Sequence, residues 1–225
     1  MSKENNTGNN TAVAEAVSKT EVFFSSNKKA ILIAIAVIVI ACAGIFLYHK
    51  FAYMPAIEEA LGQLYPAEAN FRNGEYELAL NGDGNVLGFS QIIDKYGHKA
   101  GKAAFLYAGI CELNLNNWDS AIGYLSKYNG TDKIMKARAL ACIGDAYTGL
   151  TDYAKAVKYF EKAASVIDNA FAATYLLKAG VTYEALGDYS SAVKAYETIK
   201  EQYPMSMEAM DIDKYITRAG MNAGK

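Results

Sequence analysis

Residues 176–196 read LLKAGVTYEALGDYSSAVKAY: a helix, a short turn, and a second helix that opens on the aromatic Tyr189. Two upstream stretches align with it, LACIGDAYTGLTDYAKAVKYF over 140–160 and FLYAGICELNLNNWDSAIGYL over 105–125. Gly109, Gly144 and Gly180 fall 35 and 36 residues apart, and so do Ala121, Ala156 and Ala192. The aromatic after each turn is Trp118, Tyr153 or Tyr189. Unrelated amphipathic hairpins would not repeat both the small and the aromatic positions at one spacing. Gly and Ala are expected where the two helices of a hairpin cross, because only small residues let the backbones approach. The aromatics are expected to fill the layer to the next hairpin. The fold expected is all-α, a solenoid of helical hairpins. Only three prolines in 225 residues and an abundance of Ala, Leu, Lys and Glu agree with that.

The pattern resembles the tetratricopeptide repeat, a hairpin of about 34 residues. The third copy carries Leu176, Ala179, Gly180, Tyr183, Gly187, Tyr189, Ala192, Tyr196 and Pro204; the second carries Gly144, Tyr147, Tyr153, Ala156, Phe160 and Ala163. The first keeps Gly109, Trp118, Ala121 and Leu125 but has Glu112 where the motif has tyrosine. The three repeats span about residues 100–204. Upstream, over 57–99, lies a degenerate copy with Gly74, Tyr76 and Ala79. Its second helix is expected to be interrupted by NGDGNVLG, from Asn81, and to resume at Phe89. Downstream, over 205–225, Ile212, Tyr215, Ile216 and Ala219 mark one face of a capping helix. Met207 and Met210 lie off that face and suggest a second, narrower apolar contact.

The other decisive stretch is AILIAIAVIVIACAGIFL, residues 30–47, eighteen uncharged residues. As a helix it would be roughly 27 Å long, close to a bilayer's hydrocarbon core of about 30 Å. The block 30–48 is therefore expected to be a transmembrane helix, followed by a tether over 49–56. Pro55 argues against one continuous helix leaving the membrane. The leader 1–29 is expected to be disordered over 1–18, which is rich in Asn, Thr and Ser, with a short helix over 19–29. Two cleavage readings compete: Ala41-Cys42-Ala43 fits a signal-peptidase site, and Val39-Ile40-Ala41-Cys42 fits a lipidation pattern. The length of both leader and apolar run, and the greasy residues beyond Cys42, favour an uncleaved anchor. Lys28 and Lys29 outweigh Lys50 across the span, which puts the leader in the cytoplasm and the C-terminal domain outside. Tyr48, Phe51 and Tyr53 suit the outer interface.

The net charge is −2, and the leader holds four Lys and three acids, leaving 18 basic against 21 acidic residues elsewhere. No basic face of the kind nucleic acid needs follows from this. Cys111 and Cys142 sit in helical sequence without a CxxC and read as buried small hydrophobes, with a disulfide as the alternative in an oxidising compartment. Asn81, Asp83 and Asn85 alternate oxygens as in a calcium loop, yet Ile92 stands where the closing Glu belongs, so the loop reads as a turn. No phosphate loop, no catalytic set, no metal site and no cofactor is expected.

What remains is the concave groove that the resemblance implies, lined by the first helix of each hairpin. The groove-facing residues by that analogy are Ala103, Leu106, Ile110 and Leu113, then Arg138, Ala141, Asp145 and Thr148, then Thr174, Leu177, Val181 and Glu184. Only Arg138 resembles a carboxylate-clamp residue, so the groove is expected to take a hydrophobic segment or a partner's helix. The alternative is that these residues pack against the chain's own helices. Asp at Leu106 or Leu177 is expected to weaken capture of a partner without unfolding the array.

The layout of leader, anchor, tether and repeats resembles the membrane-anchored tetratricopeptide proteins of the YfgM type, ancillary to the SecYEG channel. The NGDGN loop followed by IIDKY is similar to Bacteroidota members of that kind. The resemblance implies a single-pass inner-membrane adaptor with a periplasmic repeat domain. It would associate with the translocon and with envelope chaperones. The rival readings are a scaffold for outer-membrane assembly or cell division, which a lipid anchor at Cys42 would favour, and an enzyme or enzyme regulator with a cryptic polar site.

Overall fold

The computed structural model describes the backbone of residues 7–224 and the side chains of residue 18 and residues 21–224. All regular structure among the described residues is helical. The chain divides into two compact units at Pro55 and Ala56.

The first unit is dominated by α1, Thr7–Tyr48. The first six residues of the leader lie outside the described residues. From Thr7 the leader is helical rather than irregular. Ala, Val, Glu and Lys are adequate helix formers there, and a helix already nucleated over the apolar run extends at little further cost. Ser25 donates to the Val22 carbonyl at 3.0 Å and Asn27 to the Phe23 carbonyl at 2.9 Å, so these polar side chains bond back along the helix instead of ending it. One helix among the described residues is long and apolar enough to cross a membrane by length and composition, and its apolar window is wholly unburied. A π-helical turn, His49–Tyr53, follows α1.

The helix α2, Met54–Arg72, begins one residue before Pro55, so helical backbone is not broken at that proline. The wider π-turn just before it gives the ring room that a regular α-turn would not.

The second unit is a run of antiparallel hairpins. The first pairs α2 with a split second helix, α3 (Tyr76–Asn81) and α4 (Phe89–Tyr96). Then come α5 (Lys102–Asn114) with α6 (Trp118–Leu125), α7 (Lys133–Gly149) with α8 (Tyr153–Val166), and α9 (Ala170–Ala185) with α10 (Tyr189–Gln202). The cap α11, Ile212–Ala223, packs on α10.

One register rule builds all three full hairpins. Each helix-A glycine meets the side chain sixteen residues on: Gly109 faces Leu125, Gly144 faces Phe160 and Gly180 faces Tyr196. A Cβ on Gly144 would lie 2.6 Å from Phe160 Cε1, closer than real Cβ atoms approach. Ala121, Ala156 and Ala192 are fully buried at the same crossings. Each turn uses a left-handed residue two positions before the aromatic: Gly74 (φ 80°), Asn116 (φ 61°), Thr151 (φ 58°) and Gly187 (φ 77°). Asp152 and Asp188 then cap their helices, accepting from Lys155 N–H and Ser191 N–H, both at 3.1 Å.

The loop between α3 and α4 is held by Asp83, whose carboxylate accepts from Asn85 N–H at 2.8 Å and Val86 N–H at 2.9 Å. Those two bonds hold the Asp83 carboxyl below its ordinary pKa. Gly82 (φ 71°) and Gly84 (φ 89°) supply the left-handed turns.

At the far end, Ile212 and Ala219 of α11 are buried, with Tyr215 and Ile216 half-buried beside them. Arg218 grips Glu184 of α9 with two bonds, 2.9 Å from Nε and 2.7 Å from Nη2, and Tyr196 donates to the same carboxylate at 2.6 Å. The expected second apolar contact through Met207 and Met210 does not form. A short 3-10 turn, Glu208–Asp211, precedes α11, and both methionines stand 82% exposed around it.

Candidate protein-binding groove

The first helices α5, α7 and α9 carry the residues the repeat analogy assigns to the concave face. Their burial differs sharply at equivalent positions. Leu106 and Ile110 on α5 are 3% and 5% exposed and lie in one core cluster with Ala139, Cys142, Ile143 and Ala146 of α7. Leu113 is half-buried against the same cluster, and Ala103 is exposed. Ala141 is buried among Ala156, Val157, Phe160 and Ala179. These residues hold hairpin to hairpin and offer a partner little surface. With Leu106 this deeply buried, an Asp there is expected to destabilise the array rather than affect capture alone.

Arg138 is exposed. Thr174 donates to Glu208 Oε1 at 2.6 Å, so it braces the 3-10 turn before α11. Glu184 is spent on Arg218 and Tyr196. Burial raises its pKa, but the bonds from Arg218 and Tyr196 outweigh this and leave the carboxyl below its ordinary value. Burial and that same bond push the Tyr196 phenol well up. Glu184 is thus a clasp for α11 and is not free to meet a ligand.

Four of the expected residues, Asp145, Thr148, Leu177 and Val181, do converge. They line a pocket of about 260 Å³ between α7 and α9, together with Phe160, Lys178 and Thr182. Val181 is 46% exposed, and Leu177 is half-buried. The polar groups around it are already satisfied within the chain. Lys178 Nζ reaches both Asp145 oxygens at 2.7 Å and stands 5.6 Å from the Phe160 ring centroid. Thr182 donates to the Lys178 carbonyl at 2.7 Å and Thr148 to the Gly144 carbonyl at 3.0 Å. What the pocket presents is an apolar wall of Phe160, Leu177 and Val181 under a neutralised ion pair. An apolar side chain entering it would leave no buried charge unpaired.

Phe160, Lys178 and Thr182 are additions that the repeat analogy does not supply. Phe160 carries a sequence signal, the large residue sixteen after Gly144, but that signal speaks for packing. Lys178 stands 33 residues after Asp145, nearly one repeat on, which is the signal of neighbours on adjacent first helices.

Cys111 and Cys142 are free, buried thiols in separate core clusters. Burial pushes their pKa values up to about 12 and about 11. Among the described residues no group of three or more His, Cys, Asp or Glu is placed to hold a metal.

Residues 135–204 match a family model of the tetratricopeptide repeat. No curated protein matches the chain. Among solved structures, a MamA crystal structure is 18% identical, with a TM-score of 0.57 over 75% of this chain and 83% of that one. A second MamA structure is 17% identical, with a TM-score of 0.52 over 70% and 94%. A crystal structure of nearly identical TPR-like repeats, assigned to a Podosopora anserina kinesin light chain, is 12% identical, with a TM-score of 0.57 over 75% and 88%. At such identities the likeness is one of fold. Residues 135–204 thus match the tetratricopeptide repeat, and the hairpins around them are similar to it in fold.

Proposed function

We propose that this protein is a membrane-anchored adaptor whose pocket between α7 and α9 docks an apolar segment of a partner protein. Tetratricopeptide repeats are protein-interaction scaffolds, and that general role is the starting point. The observation that carries the reading is the pocket itself: an apolar wall with a half-exposed Val181 and an ion pair already closed on itself. Binding there would draw on buried apolar surface, about 25 cal/mol per Å² before the costs of association.

The anchor is the apolar stretch 30–47, which is long and apolar enough to span a bilayer. The lysines before it orient the repeat domain to the outer side of a bacterial inner membrane. The likeness of the layout to YfgM-type proteins adds the candidate company: the SecYEG channel and periplasmic chaperones. The groove residues that remain open for this role are Leu177, Val181 and Thr148, with Asp145 and Lys178 as the neutral rim.

The test is affinity purification of the full-length protein from gently solubilised membranes, with mass spectrometry of what comes along. Channel subunits and a membrane-anchored chaperone are expected, and their recovery should fall with Val181→Asp while helicity and melting are retained. Recovery of outer-membrane assembly or division proteins instead would replace the translocon assignment. Recovery unchanged by Val181→Asp would remove the pocket from the account.

A further inference from the structure

Three methionines stand out among the exposed apolar residues. Met205 is 95% exposed, and Met207 and Met210 are each 82% exposed, while the next most exposed large apolar side chain among the described residues is at 71%. They fall within six residues, in the segment PMSMEAMD that joins α10 to α11. The segment is nonetheless firmly held. Ser206 is buried, Ser206 N–H donates to the Tyr203 carbonyl at 2.9 Å, and Ser206 Oγ accepts from Ala209 N–H at 3.2 Å. The Glu208 carboxylate is tied to Thr174 of α9. A fixed backbone thus displays three thioethers to solvent.

Their spacing brings them together. Met210 N–H bonds the Met207 carbonyl at 3.3 Å, the i to i+3 bond of a 3-10 turn. Side chains three apart in such a turn eclipse, so Met207 and Met210 rise from one face, about 6 Å apart along the axis. Met205 enters two residues earlier, on the turn leading in. Methionine is unbranched, with three rotatable bonds and a polarisable sulfur, so all three can swing to a common point.

The three carboxylates that follow the methionines in sequence are paired. Glu208 accepts from Thr174, Asp211 pairs with Lys214 at 2.6 Å and Asp213 with Lys200 at 2.7 Å. What is left for a ligand is a set of neutral thioethers. Such donors select soft cations over magnesium, calcium or zinc. We propose that Met205, Met207 and Met210 form a surface site for a soft monovalent cation, copper(I) or silver(I). This does not depend on the pocket or its partner.

The probe is silver(I), which needs no reductant. It is titrated into the full-length protein in detergent, with methionine ε-methyl groups labelled with carbon-13. The exposed Cys42 is replaced by Ser; Cys111 and Cys142 are buried and protonated. At one equivalent the methyl signals of Met205, Met207 and Met210 are expected to shift together while that of Met221, also exposed, stays in place. The Met207→Leu, Met210→Leu double variant conserves volume and exposure, so it should fold normally and bind about tenfold or more weakly. Calcium and zinc should leave all these signals unmoved. Silver shifts that spread evenly to Met221, no shift at one equivalent, or an equal response to zinc would each overturn the proposal.

Discussion

Thr151 occupies a left-handed backbone position, φ 58°, that a β-branched residue adopts at a cost of about 1–2 kcal/mol. The other turns meet the same need with Gly74, Gly187 and Asn116, residues suited to it. Thr151 Oγ1 makes only a short bond to its neighbour's carbonyl, Leu150, at 2.7 Å. Thr151→Gly is expected to stabilise the domain by roughly 0.5–1 kcal/mol once the extra freedom of glycine in the unfolded chain is subtracted. Urea denaturation followed by circular dichroism reads this directly; an unchanged or lower midpoint would show that the turn carries no strain. At the same scale, Leu106 and Val181 give opposite results. Leu106→Asp buries a carboxylate among Ala139, Cys142 and Ile143 and should cost about 3 kcal/mol or more, of the order of breaking a core contact and stranding a charge. Val181→Asp places its charge in solvent and should leave melting nearly unchanged.

Helix α11 is clasped to α9 by Arg218 on Glu184, with Tyr196 donating to the same carboxylate, and Lys200 of α10 pairs with Asp213 at its exposed start. Arg218 is half-exposed, so the ion pair contributes on the order of 1 kcal/mol or less, and the burial of Ile212 and Ala219 carries the rest. Glu184 has a depressed pKa in the folded chain, so its share is complete above the ordinary glutamate value of about 4.3 and is lost as pH falls through the folded value. Tyr196 has a raised pKa, so its share is present below the ordinary tyrosine value of about 10 and is lost as pH climbs past the folded value. Hydrogen exchange should therefore show α11 amides losing protection before those of α7 and α8 at the acid end. With Arg218→Ala that acid sensitivity should shrink. Equal loss across all helices would deny α11 a clasp of its own.

The hairpins are plain from the sequence because the Gly-to-aromatic register of sixteen residues is written into the second and third copies, with Leu125 standing in for the aromatic in the first. The exposure of groove positions is not, because burial depends on what the neighbouring helix places opposite. Leu106, Ala141 and Leu177 share one repeat position, yet the first two are sealed by the hairpin that follows while Leu177 remains half-open. Ile110, Asp145 and Val181 show the same gradient, from 5% exposure at Ile110 to 46% at Val181. The periodicity of Ile212, Tyr215, Ile216 and Ala219 marks the buried face of α11, but the 3-10 turn that carries Met207 and Met210 into solvent has no such period.

At the scale of the whole molecule, each repeat leans chiefly on its neighbours, and the equivalent groove positions grow more exposed toward the last full hairpin. The proposed docking surface lies between α7 and α9, where Val181 is 46% exposed. The direct test is a photo-crosslinking amino acid at Val181 of the full-length protein in native membranes, against the same group at the exposed Lys158 of α8, which lies outside the pocket. A discrete crosslinked partner at Val181, much weaker at Lys158, is the predicted result. Equal labelling at both positions, or a partner captured only from Lys158, would contradict a binding pocket between α7 and α9.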